Sequence, residues 1–307
     1  MYDLIILGGG PAGIAAGIYA SRKKINALLI TKDFSGQWVT SDKIENFIGF
    51  KAISGFELAK AFESHLRAQE DLIDLKDGVL VSSVKKINEG FEISDSNGSV
   101  YRAKNILYAI GSGYKKLNVP GEKEYSGKGV FYCSTCDAPL MKNKKVVVVG
   151  AGNTGLEAAI DLLPYASEIT VLQYNDRIRG DVIYQEKLKS EPKVKIITNA
   201  AIKEIFGNDF VTGLKYNDVI TNEEKTLDVS GVFVEIGYKP STDLVKDLVN
   251  LNEKGEIIVD HKTFQSSAKG IWAAGDVSDG LYNQFSTAIG DAVNAVLNIN
   301  ETLKNSK

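Results

Sequence analysis

The first thirty residues of the chain alternate between apolar runs and a cluster of glycines. Residues 2–7 form an apolar run long enough for a buried strand, and residues 8–13 contain four glycines. An Ala- and Ile-rich stretch with helical spacing follows to about Arg22, and a second apolar run covers residues 27–30. The pattern predicts a strand, a tight turn, a helix and a second strand.

The glycines have the spacing of a dinucleotide-binding turn. Gly8, Gly10 and Gly13 satisfy G-x-G-x-x-G between a predicted strand and the head of a predicted helix. Without side chains at these positions, the backbone can approach a pyrophosphate, and the positive end of the helix faces its charge. The motif alone is weak, but its placement between these elements predicts a dinucleotide site.

The same pattern recurs 142 residues further along the chain (150 − 8). An apolar run at 145–149 leads into Gly150, Gly152 and Gly155, and a helical stretch and an apolar run at 169–172 follow. Two such units in the correct strand and helix context predict that the chain has two dinucleotide sites or the remnants of such sites.

Alternating segments accompany both units. Residues 78–109 alternate apolar and polar side chains around Asn97-Gly98, which predicts antiparallel strands over the first unit, and residues 211–216 and 225–229 repeat this in the second half. The expected fold class is therefore α/β, with two Rossmann-like three-layer ββα domains, each with a parallel sheet and a small antiparallel layer. Apolar residues at helical spacing in 285–303 predict a final amphipathic helix that packs on the first core.

Composition excludes several classes of protein. The length of 307 residues suggests about two domains at ~150 residues each, and 44% of the residues are hydrophobic. No apolar run approaches the ~18 residues of a membrane helix. The first residues lack the cationic lead of a secretory signal, so we expect a cytoplasmic protein. The net charge of −3, from intermixed 36 basic and 39 acidic residues, disfavours nucleic acid as a partner.

Both cysteines of the chain, Cys133 and Cys136, lie two residues apart. Thiols at C-x-x-C spacing can close a small disulfide ring, and this geometry usually lowers the pKa of one thiol. A zinc site needs further ligands, and His65 and His261 have no zinc-finger spacing, so we expect no metal. A structural disulfide would need an oxidising compartment. The pattern therefore predicts a redox-active disulfide.

These motifs together resemble those of the low-molecular-weight thioredoxin reductases. The resemblance covers essentially the whole chain, and its most specific element is C-x-x-C-Asp just before the second glycine turn. The shared motifs, in order, are residues 8–13, Gly36-Gln37, Glu45-Asn46, Cys133 to Asp137, residues 150–155 and Gly275-Asp276.

The resemblance implies an arrangement of domains and an activity. FAD would be held by a discontinuous domain of residues 1–117 and 247–307, and residues 118–246 would form an inserted nicotinamide-dinucleotide-type domain that carries the dithiol. The implied protein is a flavoprotein oxidoreductase that passes two electrons from NADPH through FAD and the dithiol to a thioredoxin-like protein. A homodimer and a rotation of the inserted domain are also implied.

The resemblance assigns roles to individual residues. Cys136 would lie against the flavin, Cys133 would attack the partner disulfide, and Asp137 would handle the proton. A carboxylic acid next to the second thiol can protonate a departing thiolate if burial keeps its pKa high. The implied FAD contacts are Gly8, Gly10, Gly13, Gly36, Gln37, Asn46, Gly275, Asp276 and Gln284.

The second unit departs from the family where the adenosine ribose would be read. The position that is often acidic in NAD sites is Gln173 (150 + 23), and of the arginines that hold NADPH in the family only Arg179 matches, with Arg177 nearby. Each lost charge-assisted hydrogen bond is worth about 1.5–3 kcal/mol, which argues against a strong NADPH preference. The donor stays open among NADPH, NADH and a non-pyridine donor such as ferredoxin. The candidate nucleotide-binding residues are Gly150, Gly152, Gly155, Gln173, Arg177 and Arg179.

Two alternative functions use the same residues. A dithiol oxidase would pass electrons from a small-molecule dithiol to oxygen through the same C-x-x-C, and a flavin-binding redox sensor would have lost its nicotinamide donor.

Near the flavin, Trp38 and Asn283 stand where leucine and arginine are common in the family. Two interpretations fit this departure. The substitutions are a harmless change of packing, or Trp38 stacks near the flavin.

Overall fold

The structure, a computed structural model, describes residues 1–40, 44 and 46–305, apart from the side chains of residues 38 and 40. The chain forms two compact units. The first comprises Met1–Gly113 and Lys239–Lys307, and the second comprises Tyr114–Tyr238. The second unit is therefore an insertion in the first.

The unit boundaries lie earlier in the chain than the sequence predicts. The expected inserted domain is 118–246, whereas the second unit ends at Tyr238. Residues 239–246 belong to the first unit because Val245 is fully buried in its core. The Tyr108 hydroxyl also donates a hydrogen bond to Ser241 O at 2.7 Å.

One seven-stranded sheet forms the centre of the first unit. Its strands are β1 (Tyr2–Leu7), β2 (Ala27–Ile30), β3 (Asp74–Lys76), β4 (Val81–Ile87), β5 (Gly90–Asp95), β6 (Val100–Tyr108) and β17 (Ile271–Ala273). The order is β3-β2-β1-β6-β5-β4, and β17 pairs with β6. The first residues of β6 pair antiparallel with β5 and its last residues pair parallel with β1. The predicted antiparallel strands are thus hydrogen-bonded into the same sheet as the parallel ones.

Three helices cover this sheet: α1 (Pro11–Arg22), α2 (Gly55–Arg67) and α6 (Phe285–Asn305). Pro11 is at the first position of α1, where a helix has no use for a backbone N–H. The packing of α6 on the first core is confirmed, because its buried residues belong to the same apolar cluster as those of α1. Helix α2 begins at a capping box formed by Ser54 and Glu57.

The second unit has a five-stranded parallel sheet of order β11-β10-β9-β15-β8 and a separate antiparallel sheet of order β12-β13-β14. The strands are β8 (Val130–Phe131), β9 (Lys145–Val149), β10 (Glu168–Leu172), β11 (Val194–Ile197), β12 (Ala200–Gly207), β13 (Val211–Asp218), β14 (Glu224–Asp228) and β15 (Gly231–Val234). The helices are α3 (Ser134–Asp137), α4 (Asn153–Leu162) and α5 (Val182–Lys189).

The remaining elements are short. Strands β7 (Ser112–Tyr114) and β16 (Tyr238–Pro240) form a two-stranded sheet. The 3-10 helices cover Gln37–Thr40 and Ala138–Met141. None of the helices in the described ranges has the length and apolar character needed to cross a bilayer.

Candidate active site

The first glycine turn is built so that only glycine fits at its closest contacts. A Cβ on Gly8, whose φ is +113°, would lie 2.3 Å from Ala109 O, and a Cβ on Gly13 would lie 1.8 Å from Gly8 O. A Cβ on Gly10 would meet no atom within 4 Å. Gly10 therefore leaves open space above the N-terminus of α1, where the unpaired N–H groups of the first turn suit a diphosphate.

Polar side chains from separate segments meet in the same unit. Gln37 Nε2 donates to both the backbone O and the Oγ of Ser112 at 2.8 Å, and Ser112 Oγ donates to Asp276 Oδ2 at 3.5 Å. Burial raises the pKa of Asp276. Gly275, with φ +75°, donates its N–H to Asp291 Oδ2 at 3.4 Å. The structure thus brings together Gln37 and Asp276, and it adds Ser112 and Asp291, which the sequence did not single out.

A second polar pair joins segments that are far apart in the sequence. Asn46 Nδ2 donates to Gln284 Oε1 at 3.2 Å. Gly36 has φ +63°, a conformation that favours glycine, and it directly precedes Gln37. Glu45 and the side chain of Trp38 lie outside the part of the chain that the structure describes. Predicted flavin residues therefore take part in two hydrogen-bonded groups in the first unit, with a half-buried acid and several amides that fit the polar parts of FAD.

The second glycine turn has the same construction. A Cβ on Gly150, whose φ is +112°, would lie 2.2 Å from Glu235 O. A Cβ on Gly155 would lie 2.0 Å from Gly150 O, and one on Gly152 would meet nothing within 4 Å. The N-terminus of α4 is therefore open above Gly152, and this turn also fits a pyrophosphate.

The Gln173 side chain hydrogen-bonds the backbone next to this turn. Its side chain is 9% exposed, its Oε1 accepts from Ala151 N at 3.0 Å, and its Nε2 donates to Arg177 O at 3.3 Å. One N–H and one acceptor position of the amide stay unused by these two bonds. A neighbouring cavity of about 550 Å³ is lined by Asn175, Asp176, Arg177, Ile178 and Arg179.

The dithiol lies at the head of the short helix α3. Cys133 is the N-cap residue with φ −145° and ψ 108°, and its Sγ accepts from Cys136 N at 3.4 Å. The two sulfurs are 2.9 Å apart, so oxidation to a disulfide needs only a small movement of the side chains. Cys136 is exposed and Cys133 is half-buried.

Acidic residues surround the dithiol turn. Burial raises the pKa of Asp137, which is the condition for a proton donor next to the second thiol. Ser134 donates from its hydroxyl to Asp161 Oδ2 at 2.8 Å, which ties the turn to α4. Sequence reasoning did not identify Asp161, because nothing in the spacing between residues 134 and 161 indicates their contact.

Glu235 is a further buried acid that the sequence reasoning did not single out. It follows β15 and is 7% exposed. Burial, followed by the negative charges of Asp161 and Glu157, raises its pKa to about 8. An acidic residue directly after the apolar run 231–234 was the one available indication of it in the sequence.

Comparisons with known proteins extend the picture. A profile described as pyridine nucleotide-disulphide oxidoreductase matches residues 2–295. The chain is 39% identical over 297 residues to the F component of the alkyl hydroperoxide reductase of Staphylococcus aureus; this covers 97% of the chain and 58% of that relative. The chain therefore spans a little over half the length of this relative.

Solved structures match over nearly the full chain. Thioredoxin reductase of T. acidophilum aligns with a TM-score of 0.83 and 38% identity, covering 99% of both chains. Thioredoxin reductase of Lactococcus lactis, in its FR conformation, aligns with a TM-score of 0.87 and 29% identity, covering 99% of this chain and 100% of the other. The predicted α/β fold class and the resemblance to low-molecular-weight thioredoxin reductases are confirmed.

The profile match includes both glycine turns, the dithiol and the Gly275-Asp276 pair. It is the match expected for an oxidoreductase with two dinucleotide-type units, and the family implies the use of FAD and NAD(P)H. The chain belongs to the pyridine nucleotide-disulphide oxidoreductase family.

Proposed function

We propose that the chain is an FAD-dependent disulfide reductase that passes two electrons from a nicotinamide nucleotide, through FAD and the Cys133–Cys136 pair, to the disulfide of a thioredoxin-like protein. The observation that carries this proposal is the dithiol turn. Its two sulfurs lie 2.9 Å apart, and the next residue, Asp137, is an acid whose pKa is raised by burial.

The dithiol turn supplies the three groups that thiol–disulfide exchange needs. Cys133 is the nucleophile, since its sulfur accepts the Cys136 N–H. Its attack forms a mixed disulfide and breaks the partner disulfide, and the departing partner sulfur takes a proton from Asp137. The Cys136 thiol then returns a proton to Asp137 and attacks the Cys133 sulfur. This closes the Cys133–Cys136 disulfide and releases the second partner sulfur as a thiolate.

FAD fits the first unit. Its pyrophosphate would lie at the N-terminus of α1 above Gly10, and the chain of Gln37, Ser112 and Asp276 would hold more distant polar groups. When bound, FAD would supply two-electron redox chemistry between the donor and the protein disulfide. Burial raises the pKa of Asp276, so its carboxyl keeps a proton to a higher pH than an ordinary aspartate does.

The nicotinamide nucleotide fits the second glycine turn, and its adenosine end would reach the cavity at residues 175–179. The positive charges of Arg177 and Arg179 favour binding of a 2′-phosphate, whereas the negative charge of Asp176 in the same cavity lining disfavours it. Gln173 has hydrogen-bonding capacity left for a 2′-hydroxyl. We infer that NADH serves at least as well as NADPH.

The donor is tested by anaerobic stopped-flow bleaching of the flavin with NADH, NADPH and reduced ferredoxin in parallel. The proposal predicts rapid bleaching by NADH, with an apparent Kd for NADPH no lower than that for NADH. Bleaching by ferredoxin alone would contradict a nicotinamide donor, and tight NADPH binding with no response to NADH would contradict the inference about the adenosine end.

Asp137→Asn tests the proton transfer. Loss of a general acid lowers rates by about 10²–10⁴-fold, so thioredoxin-like disulfide turnover should fall steeply while flavin content and flavin bleaching stay unchanged. Cys136→Ser is the matched control, because it must abolish turnover and keep FAD. Equal turnover in Asp137→Asn and wild type would remove Asp137 from its proposed role.

A peroxiredoxin is the second candidate partner, and the similarity to a component of an alkyl hydroperoxide reductase favours it. The chain matches only 58% of that relative, so direct electron transfer from this chain to a peroxiredoxin needs its own test. Peroxide consumption is measured with a peroxiredoxin alone and again with a thioredoxin added. Consumption without thioredoxin indicates that the peroxiredoxin is a direct partner. Peroxide production with oxygen as the sole acceptor would instead indicate a dithiol oxidase.

A further inference from the structure

Glu235 lies where an open parallel sheet usually binds its ligand. In the order β11-β10-β9-β15-β8, the chain leaves β9 toward β10 on one side and β15 lies on the other side. This is a topological switch point, and ligands bind outside the carboxyl ends of the strands there. Glu235 follows β15 and its N–H donates to Val149 O at 2.8 Å, so it lies directly beside the second glycine turn.

The side chain of Glu235 faces an acidic side of α4. Glu157 and Asp161 are one helical turn apart, and both act electrostatically on Glu235. Asp161 accepts the Ser134 hydroxyl at 2.8 Å, and Glu157 pairs with the Tyr184 hydroxyl of α5. The facing side of β9 contributes valines and glycine backbone rather than charged groups. Burial between two carboxylates keeps the Glu235 carboxyl protonated at neutral pH, because its pKa is raised to about 8.

The protonated carboxyl group has hydrogen-bonding capacity that the described residues do not use. The side chain is 7% exposed, and the structure records no hydrogen bond to it within the described part of the chain. Its carboxyl oxygens are not among the fully enclosed side-chain atoms without a partner in the described residues, so the carboxyl is reachable at this ligand-binding edge and can pair with a ligand there. A neutral carboxyl offers one donor and one acceptor side by side, whereas a carboxylate only accepts.

We propose that Glu235 recognises the carboxamide of the nicotinamide ring, donating its O–H to the carboxamide oxygen and accepting the carboxamide N–H. This proposal rests on the proposed function, which places a nicotinamide nucleotide at the Gly150–Gly155 turn. The carboxamide has the complementary donor and acceptor side by side, so the contact fixes the orientation of the ring. The adenosine and pyrophosphate parts of the nucleotide make no use of Glu235.

The test compares two ligands that differ by the nicotinamide ring. Isothermal titration of the FAD-loaded protein with NAD⁺ and with ADP-ribose is carried out at pH 6.5 and pH 9 on wild type, Glu235→Gln and Glu235→Ala. NADP⁺ and 2′-phospho-ADP-ribose form the equivalent pair for a phosphorylated donor. Glu235→Gln keeps a donor and an acceptor without a titrating proton, and flavin content checks that each variant is folded.

Wild type should lose about ten-fold in NAD⁺ affinity between pH 6.5 and pH 9, as expected when one to two hydrogen bonds are lost. Glu235→Gln should bind NAD⁺ tightly at both pH values, and Glu235→Ala should bind it about ten-fold more weakly at both. ADP-ribose should bind all three proteins equally. Unchanged NAD⁺ affinity in Glu235→Ala, with ADP-ribose still bound, would overturn the role of Glu235 and leave the proposed function intact. Failure of all four ligands to bind would overturn both.

Discussion

The two glycine turns have the same backbone and different surroundings. Gly8 and Gly150 have φ values of +113° and +112°, and a Cβ on either would collide with the carbonyl oxygen of the residue after a neighbouring strand. That residue is Ala109 in the first unit and Glu235 in the second. The third glycines, Gly13 and Gly155, also contact their turns in the same way.

The differences between the units lie in the side chains next to these turns. Helix α1 has no acidic residue, whereas α4 carries Glu157 and Asp161 toward Glu235. Next to the first turn, the Thr31 hydroxyl donates to Asp33 O at 2.6 Å. Next to the second turn, the Gln173 amide hydrogen-bonds Ala151 N and Arg177 O. The two units therefore share a turn whose backbone fits a pyrophosphate, and they differ in the side chains at the strand ends beside it.

Replacing the first glycine of each turn should have the largest effect. Gly8→Ala and Gly150→Ala each place a Cβ within 2.3 Å and 2.2 Å of a carbonyl oxygen at a positive φ, and left-handed backbone alone costs about 1–2 kcal/mol. Gly8→Ala should lose FAD, as measured by flavin absorbance per chain. Gly150→Ala should keep FAD and lose nucleotide binding and flavin bleaching.

Gly10→Ala and Gly152→Ala are the matched controls, because a Cβ at either position meets no atom within 4 Å. These variants should keep the wild-type unfolding midpoint and weaken only the ligand of their own unit. If Gly152→Ala destabilises the protein as much as Gly150→Ala, the close contacts described for the turn do not set its stability.

The Glu235→Gln variant should produce an intermediate effect that depends on pH. The folded pKa of about 8 exceeds the usual 4.5, so the stability linked to this group is complete below about pH 4.5 and is lost as the pH rises toward 8. At pH 8, Glu235→Gln should therefore be more stable than wild type by an amount on the order of a few kcal/mol, and at pH 4.5 the two should be nearly equal.

Spectroscopy can separate the two units in this experiment. Both tryptophans, Trp38 and Trp272, belong to the first unit, so denaturation followed by tryptophan fluorescence reports on that unit. Far-UV circular dichroism reports on both. The stabilisation at pH 8 should appear in circular dichroism and be absent from the fluorescence transition. A wild-type stability that rises between pH 5 and pH 8 in the second unit would show that Glu235 is not a buried neutral acid.

Substitutions of Gln173 and Thr31, whose side chains hydrogen-bond next to the two turns, should have the smallest effect. Gln173→Met leaves Ala151 N and Arg177 O without their partner, and Thr31→Val leaves Asp33 O without its hydroxyl donor. We expect Gln173→Met to cost about 1–3 kcal/mol and Thr31→Val about 1 kcal/mol, measured as unfolding free energies. Gln173→Met should also weaken NAD⁺ binding while FAD content stays constant. A cost near zero for Gln173→Met would indicate that the bridging amide adds nothing to the second turn.

The sequence predicted the parts of the fold that are local. The expected strands at 2–7, 27–30 and 145–149 coincide with β1, β2 and β9, because short apolar runs bounded by glycine or polar residues define both their type and their limits. Helix α2 was not identified, although Ser54 and Glu57 have the spacing of a capping box.

The parts that sequence reasoning missed depend on contacts between distant segments. Glu235 and Asp161 are separated by 74 residues (235 − 161), and only the pairing of β15 with β9 brings them together. Ser112 similarly joins Gln37 to Asp276 across segments that have no common pattern. The pKa of Asp137 depended on its burial, which a residue's neighbours in sequence do not determine.

The central claim is that electrons pass from a nicotinamide nucleotide to FAD and on to the Cys133–Cys136 pair. Anaerobic titration of the oxidised protein with NADH, with flavin absorbance and free thiols measured at each addition, tests it most directly. Wild type should take up two electron pairs per flavin and gain two thiols, and Cys136→Ser should take up one pair and gain none. Equal uptake by the two proteins, with no thiols formed in wild type, would contradict the claim.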